Sequence, residues 1–204
     1  MLYWIVRPLV HGIFWIFFGF RAFGTENVPA KGGGILASNH QSFLDPMILG
    51  AGLSRRVRFV ARTTLFRNPL FGALISSVGA MGIERGTADV GAIRKIGEFL
   101  RSGQLLVMFP EGTRTRDGEV ARCKAGVAVT ARAGDVPIIP VAIHGAYEAW
   151  PRHERLFRLF RPVRVMFGEP VRYERGMGKK AIEEDLRGRI AGMLAELREK
   201  FPLR

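Results

Sequence analysis

The 204-residue chain has one cysteine, Cys123, which excludes an intrachain disulfide framework and every multi-cysteine zinc or iron–sulfur site. That usage fits a reducing compartment. Histidine is scarce as well, and His11, His144 and His153 show no ligand spacing with each other or with acids, so neither a metal nor a bound cofactor is expected. Acids are few: 18 Asp and Glu face 31 Lys and Arg, a formal charge of +13. Lysine is the minor cation, 6 against 25 Arg. An arginine-dominated balance points to an anionic partner, because the guanidinium grips phosphate bidentately and stays charged in dry sites. Internal repeats, low-complexity tracts and linkers are absent, so residues 25–204 read as one domain. With 48% hydrophobic residues the chain has enough apolar surface for a packed core.

The apolar surface starts at the N-terminus. Leu2 to Phe20 reads LYWIVRPLVHGIFWIFFGF, broken only by Arg7, Pro8 and His11. At helical spacing Arg7, His11, Phe14 and Phe18 share one face, leaving a thin polar stripe. A bilayer span takes about 20 apolar residues, so the run is marginal for crossing. No Lys or Arg precedes it and no small-x-small cleavage site follows, which argues against a signal peptide. Its density of Phe and Trp favours an interfacial membrane anchor over residues 1–24. A buried amphipathic helix is the alternative. A basic domain behind such an anchor is expected on the cytoplasmic face of the inner membrane.

Beyond the anchor, apolar runs alternate with helical periodicity. Strands are expected at Ile35–Ser38, Val57–Val60, Leu105–Phe109, Ile138–Ile143 and Val163–Phe167. Helices are expected at Phe43–Gly50, Leu70–Ser77, Thr87–Ser102, Ala125–Ala133 and Lys180–Lys200. That order predicts an α/β domain: a mostly buried mixed sheet flanked by helices, preceded by the hydrophobic N-terminal anchor helix.

The most informative stretch is Asn39-His40-Gln-Ser-Phe-Leu-Asp45. On a continuous helix, positions five apart point roughly 140° apart. His40 and Asp45 can therefore meet only if His40 sits on the strand-to-helix turn and Asp45 in the first helical turn. A carboxylate on one imidazole nitrogen leaves the other basic, the base–orienter half of a triad. No Ser or Cys stands in an obvious nucleophile position, so the simplest chemistry has the base activate a substrate hydroxyl. From these residues alone, a structural histidine and a helix-capping acid explain the pair equally well.

Asn39-His40-x-x-x-x-Asp45 resembles the first motif of the glycerolipid acyltransferases, of the 1-acyl-glycerol-3-phosphate (lysophosphatidic acid) type. Gly79-Ala-Met-Gly-Ile83-Glu84-Arg85 resembles the second, with Gly82 where the family usually carries Phe. Phe109-Pro110-Glu111-Gly112-Thr113-Arg114 resembles the third, with Thr115 where Ser is common, and Val136–Val141 the fourth. The motifs follow in family order over about residues 28–145.

The resemblance implies His40 as general base and Asp45 as its orienting partner. It implies phosphate contacts from Arg85, Glu111, Gly112, Thr113 and Arg114; Lys124 is either a further substrate contact, to the acceptor or a carrier phosphate, or a solvated cation at a helix start. Glu111 cannot itself attract phosphate, so it pairs with an arginine or holds the loop in shape. The reaction implied moves an acyl group from acyl-CoA or acyl carrier protein to a lysophospholipid, with no covalent acyl-enzyme. Another lysolipid, such as a lyso-ornithine lipid or a lysophosphoglyceride, is the alternative acceptor, since Gly82 removes a wall from the pocket.

Two further features stand outside those motifs. Arg152, Arg155, Arg158, Arg161 and Arg164 interleave with Leu156, Phe157, Leu159 and Phe160. Taken as a helix, that spacing suits an anionic membrane lipid surface, and also a carrier protein or coenzyme A phosphates. Cys123, between Arg122 and Lys124, is either activated by those cations or an inert thiol. A non-catalytic basic protein binding anionic lipid or nucleic acid also explains the charge. It leaves the His–Asp pair unexplained, and no nucleic-acid motif is present.

Overall fold

The computed structural model describes residues 2–69, 72–73, 76, 79–83, 90–174 and 176–203. Its framework follows from strands that are apolar on both sides. Strands β1 (Arg21–Phe23), β2 (Gly34–Ser38), β3 (Val57–Arg62), β4 (Ala80–Ile83), β5 (Leu105–Met108), β6 (Ile138–His144) and β7 (Arg164–Phe167) form one sheet ordered β1-β7-β6-β2-β5-β3-β4. All neighbours are parallel except β6 and β7. Parallel strands need cover on both faces, and β2 and β6 are buried along their whole length.

Successive side chains leave the sheet on opposite faces, which divides the core in two. Leu36, Leu105, Val107, Ile139, Val141 and Ile143 pack with helix α1 (Leu2–Phe18) and α2 (Asp45–Gly52). Ile35, Ala37, Leu106, Ile138 and Ala142 pack on the other side with α3 (Val90–Arg101), α4 (Gly126–Gly134) and α6 (Lys179–Lys200). The short α5 (Ala146–Ala149) follows β6. The expected three-layer architecture is therefore present, and β1, β4 and α5 are additions to it.

Helix boundaries follow local chemistry. Gly103, at φ +86°, closes α3 by donating to Leu100 O at 3.0 Å. Ile182, Leu186, Ile190, Leu194 and Leu197 of α6 recur at helical spacing and are buried. The helix expected over Leu70–Ser77 falls largely outside the described residues, as do residues 87–89 of the helix expected from Thr87.

Two expectations change. Helix α1 packs on the domain: Phe14, Phe18 and Phe20 are buried in the core, and His11 Nδ1 donates to Ala51 O at 3.1 Å. Phe14 and Phe18 thus turn inward, while Leu9, Trp15 and Ile16 are exposed. The exposed His11 reaches back to α2 through that hydrogen bond. Immediately after α1, β1 pairs with β7. The segment expected as an anchor is therefore also part of the core, and no helix among the described residues is long and apolar enough to cross a membrane.

The arginine stretch 152–164 is not helical. Its backbone donors go elsewhere: Arg158 N to Ala149 O, Phe160 N to Phe17 O and Val163 N to Phe18 O. Phe160 adopts φ +59°, outside the helical region. Tertiary acceptors on α1 and α5 replace the intrahelical ones.

Candidate active site

Ligand sites in parallel sheets form where strands end at their carboxyl edge. Here β2 lies between β5 and β6, and the turns after β2 and β5 carry the motifs. The turn after β2 is held by both neighbouring strands. Asn39, 1% exposed, donates from Nδ2 to Ile143 O at 2.9 Å and accepts from Ile143 N at 2.7 Å. Asn39 thereby extends the β2–β6 ladder by one side-chain rung. From the β5 side, His40 N donates to Glu111 Oε1 at 2.9 Å, and Thr115 N donates to His40 O at 2.7 Å.

His40 is followed within one turn by α2, whose first residue is Asp45. His40 Nδ1 donates to Asp45 Oδ2 at 2.7 Å, which is the meeting that the five-residue spacing required. The same oxygen accepts from Gln41 N at 2.7 Å and Ser42 N at 2.9 Å. Three donors on one buried oxygen hold the carboxylate in place and direct its charge to the ring. A carboxylate only accepts, so the ring proton sits on Nδ1 and Nε2 is left as the base. The Phe109 ring stacks on the imidazole at 3.9 Å between centroids and 15° between planes, fixing its plane. The serines on either side are committed: Ser38 Oγ donates to Asn39 O and Ser42 Oγ to Trp150 O.

Glu111 is 4% exposed, and both its oxygens serve the backbone, Oε1 from His40 N and Oε2 from Ala121 N at 3.3 Å. Burial raises its pKa to about 7, against the lowering effect of those two hydrogen bonds. Of the two roles considered for Glu111, it takes the one that holds the loop in shape. Gly112 turns the loop at φ +73°, where a Cβ would also lie 2.9 Å from Lys124 Nζ. Lys124 thus crosses above Gly112, and its N–H donates to Pro110 O at 2.9 Å. Thr113 is exposed beside it.

Arg114 lies with its guanidinium carbon 3.3 Å from the centroid of the Phe43 ring. Its Nη1 is buried with no hydrogen-bond partner. Burial first, then the nearby Arg152, lowers its pKa, and Asp45 acts in the opposite sense. An unpartnered cationic donor beside a His–Asp pair is suited to an anionic substrate group.

The structure therefore brings His40, Asp45, Glu111, Gly112, Arg114 and Lys124 together. Arg85 lies outside the described residues. At Gly82 a Cβ would lie 3.3 Å from the Phe66 ring, so Phe66 fills the space beside the position where the family carries an aromatic. Cys123 is 1% exposed and burial pushes its thiol up to about 12, in keeping with the inert reading rather than the activated one. The sequence assigns no individual role to Asn39, Phe43 or Phe109, and it places Arg152 in the lipid-facing arginine stretch rather than at this site. Asn39 and Phe43 lie inside the first motif and Phe109 opens the third, whereas no local pattern ties Arg152 to Arg114.

A family model described as Acyltransferase matches residues 20–144. The 1-acyl-sn-glycerol-3-phosphate acyltransferase of Bacillus subtilis (strain 168) is 28% identical over 154 residues, 75% of this chain and 74% of that protein. The chloroplastic 1-acyl-sn-glycerol-3-phosphate acyltransferase of Brassica napus is 30% identical over 151 residues, 72% of this chain. That alignment spans 44% of the plant protein, so this chain covers less than half of its length. Among solved structures, the 1-acyl-sn-glycerophosphate (LPA) acyltransferase of Thermotoga maritima superposes with a TM-score of 0.76 at 26% identity. The superposition covers 95% of this chain and 80% of that one.

Proposed function

The chain belongs to the acyltransferase family, and from that membership we propose that it moves a fatty acyl group from an acyl thioester to the free hydroxyl of 1-acyl-sn-glycerol 3-phosphate, forming phosphatidic acid. The observation that carries the reading is the 2.7 Å contact between His40 Nδ1 and Asp45 Oδ2 beside the unpartnered Nη1 of Arg114. Nε2 of His40 takes the proton of the acceptor hydroxyl as its oxygen attacks the thioester carbonyl carbon. Asp45 stabilises the imidazolium that forms. The carbon–sulfur bond then breaks, and the departing thiolate recovers the proton from His40. No covalent acyl-enzyme is needed, in keeping with the committed hydroxyls of Ser38 and Ser42 and the buried Cys123 thiol. Arg114 holds the acceptor phosphate, and Glu111 holds the backbone of His40. The thioester is that of coenzyme A or of acyl carrier protein.

The acceptor and the product are lipids, and the exposed surface suits their source. Leu9, Trp15 and Ile16 of α1 and Leu156, Phe157 and Phe160 of the loop between α5 and β7 are exposed. The two elements touch through Phe17 and Phe160, 6.0 Å between ring centroids. Aromatic contacts continue from Phe157 to Trp150 at 5.7 Å and from Trp150 to Phe43 at 5.0 Å, where Arg114 rests. This surface rests on an anionic leaflet at the cytoplasmic face, with the acceptor reaching the site from the membrane.

The test follows thiol release from a long-chain acyl-CoA with and without 1-acyl-sn-glycerol 3-phosphate. Release is expected to require the acceptor and to fall by at least about 10³-fold in His40→Ala. Release that survives in His40→Ala moves the base elsewhere and ends this mechanism.

A further inference from the structure

Arg152 stands at the head of the arginine stretch whose spacing suggested a lipid-facing surface, yet it does not share that stretch's setting. Its Nη1 donates to Arg114 O at 3.3 Å, across the loop that carries the third motif. The turn bearing it is anchored to the catalytic loop, since Ser42 Oγ donates to Trp150 O at 2.8 Å and Trp150 Nε1 donates to Glu154 O at 3.1 Å. Arg152 is therefore placed relative to His40 through Ser42, three residues from Asp45.

The Arg152 guanidinium thus reaches the backbone of Arg114, and its charge acts against the Arg114 cation stacked on Phe43. Among the described residues, Arg94, Arg122, Arg158, Arg172, Arg189 and Arg198 form ion pairs with carboxylates, whereas Arg114 and Arg152 form none. Asp45, the acid whose charge acts on Arg114, has its hydrogen-bonding oxygen occupied by His40, Gln41 and Ser42. Such a pair of cations is complementary to a dianion with several acceptor oxygens, more than to a zwitterion or a neutral glycerol.

We propose that Arg152 and Arg114 together form a two-arginine cradle for a phosphate monoester, that of the acceptor lipid, and that Arg152 sets the preference for this headgroup over uncharged or zwitterionic lysolipids. The inference rests on the function proposed above. Phosphate groups also occur on coenzyme A, so the measurement has to separate the two sources.

Arg152→Ala and Arg152→Lys are compared with wild type, and Arg94→Ala serves as a control for loss of one exposed positive charge. In Arg152→Ala the KM for 1-oleoyl-glycerol 3-phosphate should rise about tenfold to a hundredfold, the usual weight of a charge-assisted hydrogen bond. The preference for that acceptor over 1-oleoyl-glycerol should fall by the same factor, with partial recovery in Arg152→Lys and no change in Arg94→Ala. A rise confined to the acyl-CoA KM would assign Arg152 to the carrier's phosphates and overturn the proposal, as would unchanged KM values for both substrates. A second measurement needs no turnover: binding of the same lysolipid in detergent micelles to His40→Ala and to His40→Ala/Arg152→Ala. If wild type fails to acylate this acceptor, the proposed reaction is lost, and the binding pair still decides the cradle. Weaker binding in the double variant supports it; equal binding sinks it.

Discussion

Replacing Asp45 by Asn preserves the outline of the side chain and removes its charge. Oδ2 of Asp45 accepts from His40, Gln41 and Ser42, while Oδ1 is buried without a hydrogen-bond partner. An Asn with its oxygen in the Oδ2 position keeps the three acceptor contacts and buries an amide NH2 where nothing accepts. That costs about 1–3 kcal/mol of stability and lowers Tm by several degrees for a chain of this size. The kinetic effect is larger. Proton transfer to His40 creates an imidazolium, which a carboxylate with its charge centre about 4 Å away stabilises by about 4 kcal/mol at an effective dielectric of about 20. The neutral amide returns about 1 kcal/mol as an ordinary hydrogen bond. The remaining 3 kcal/mol or so corresponds to a loss of kcat on the order of 10²–10³-fold. Thiol release at saturating acceptor reads this directly, with melting curves showing that the variant is folded at the assay temperature. A folded Asp45→Asn protein retaining more than about a tenth of wild-type kcat would refute the electrostatic role and leave Asp45 as a helix-capping acid.

Glu111 supplies a pH signature. Its folded pKa of about 7 lies above the ordinary value of 4.5, so the native state binds the extra proton between them. Its contribution to stability is complete below about pH 4.5 and is lost as pH rises through 7, amounting to about 3 kcal/mol. Wild type should therefore lose more stability than Glu111→Gln between pH 5 and 8 in denaturant melts; parallel curves would remove Glu111 as the cause. Cys123, with its thiol pushed up to about 12 by burial, should resist iodoacetamide at pH 8 until the protein is unfolded. Labelling of the native protein at the rate of a free peptide thiol would contradict that burial. Gly145→Ala should destabilise by more than the roughly 1–3 kcal/mol of a strained backbone, because at φ +87° its Cβ would also lie 1.9 Å from Pro162 O. An unchanged Tm would show that the strand connection gives way freely.

Apolar runs and periodicity carried the sheet and its helices, because a strand buried on both faces and a helix with one inner stripe are written in local sequence. The short strands β1 and β4 escaped, since three or four residues hold too little pattern and their pairing comes from neighbours distant in the chain. The His40–Asp45 pair was legible for a local reason: both residues lie within one strand-to-helix turn, and five positions are enough to constrain it. The other site contacts cross the chain. Glu111 reaches His40 over 71 residues, Asn39 reaches Ile143 over 104, and Arg152 reaches Arg114 over 38.

Composition established that the chain carries an excess of arginine and a greasy N-terminal helix, and the motifs established their order. Which face of that helix turns inward was decided by the core that receives Phe14 and Phe18 beside Phe20 and α2. Whether residues 152–164 coil was decided by the carbonyls of Phe17, Phe18 and Ala149, which take backbone donors that a helix would have used. Which arginine stands beside Arg114 was decided by the turn that Ser42 ties down. Hydrogen-bond donors and charges are satisfied by whatever the fold brings within about 3 Å. Sequence therefore determined the elements and the local base–acid pair, while tertiary packing determined the partners of every polar group that reaches beyond its own turn.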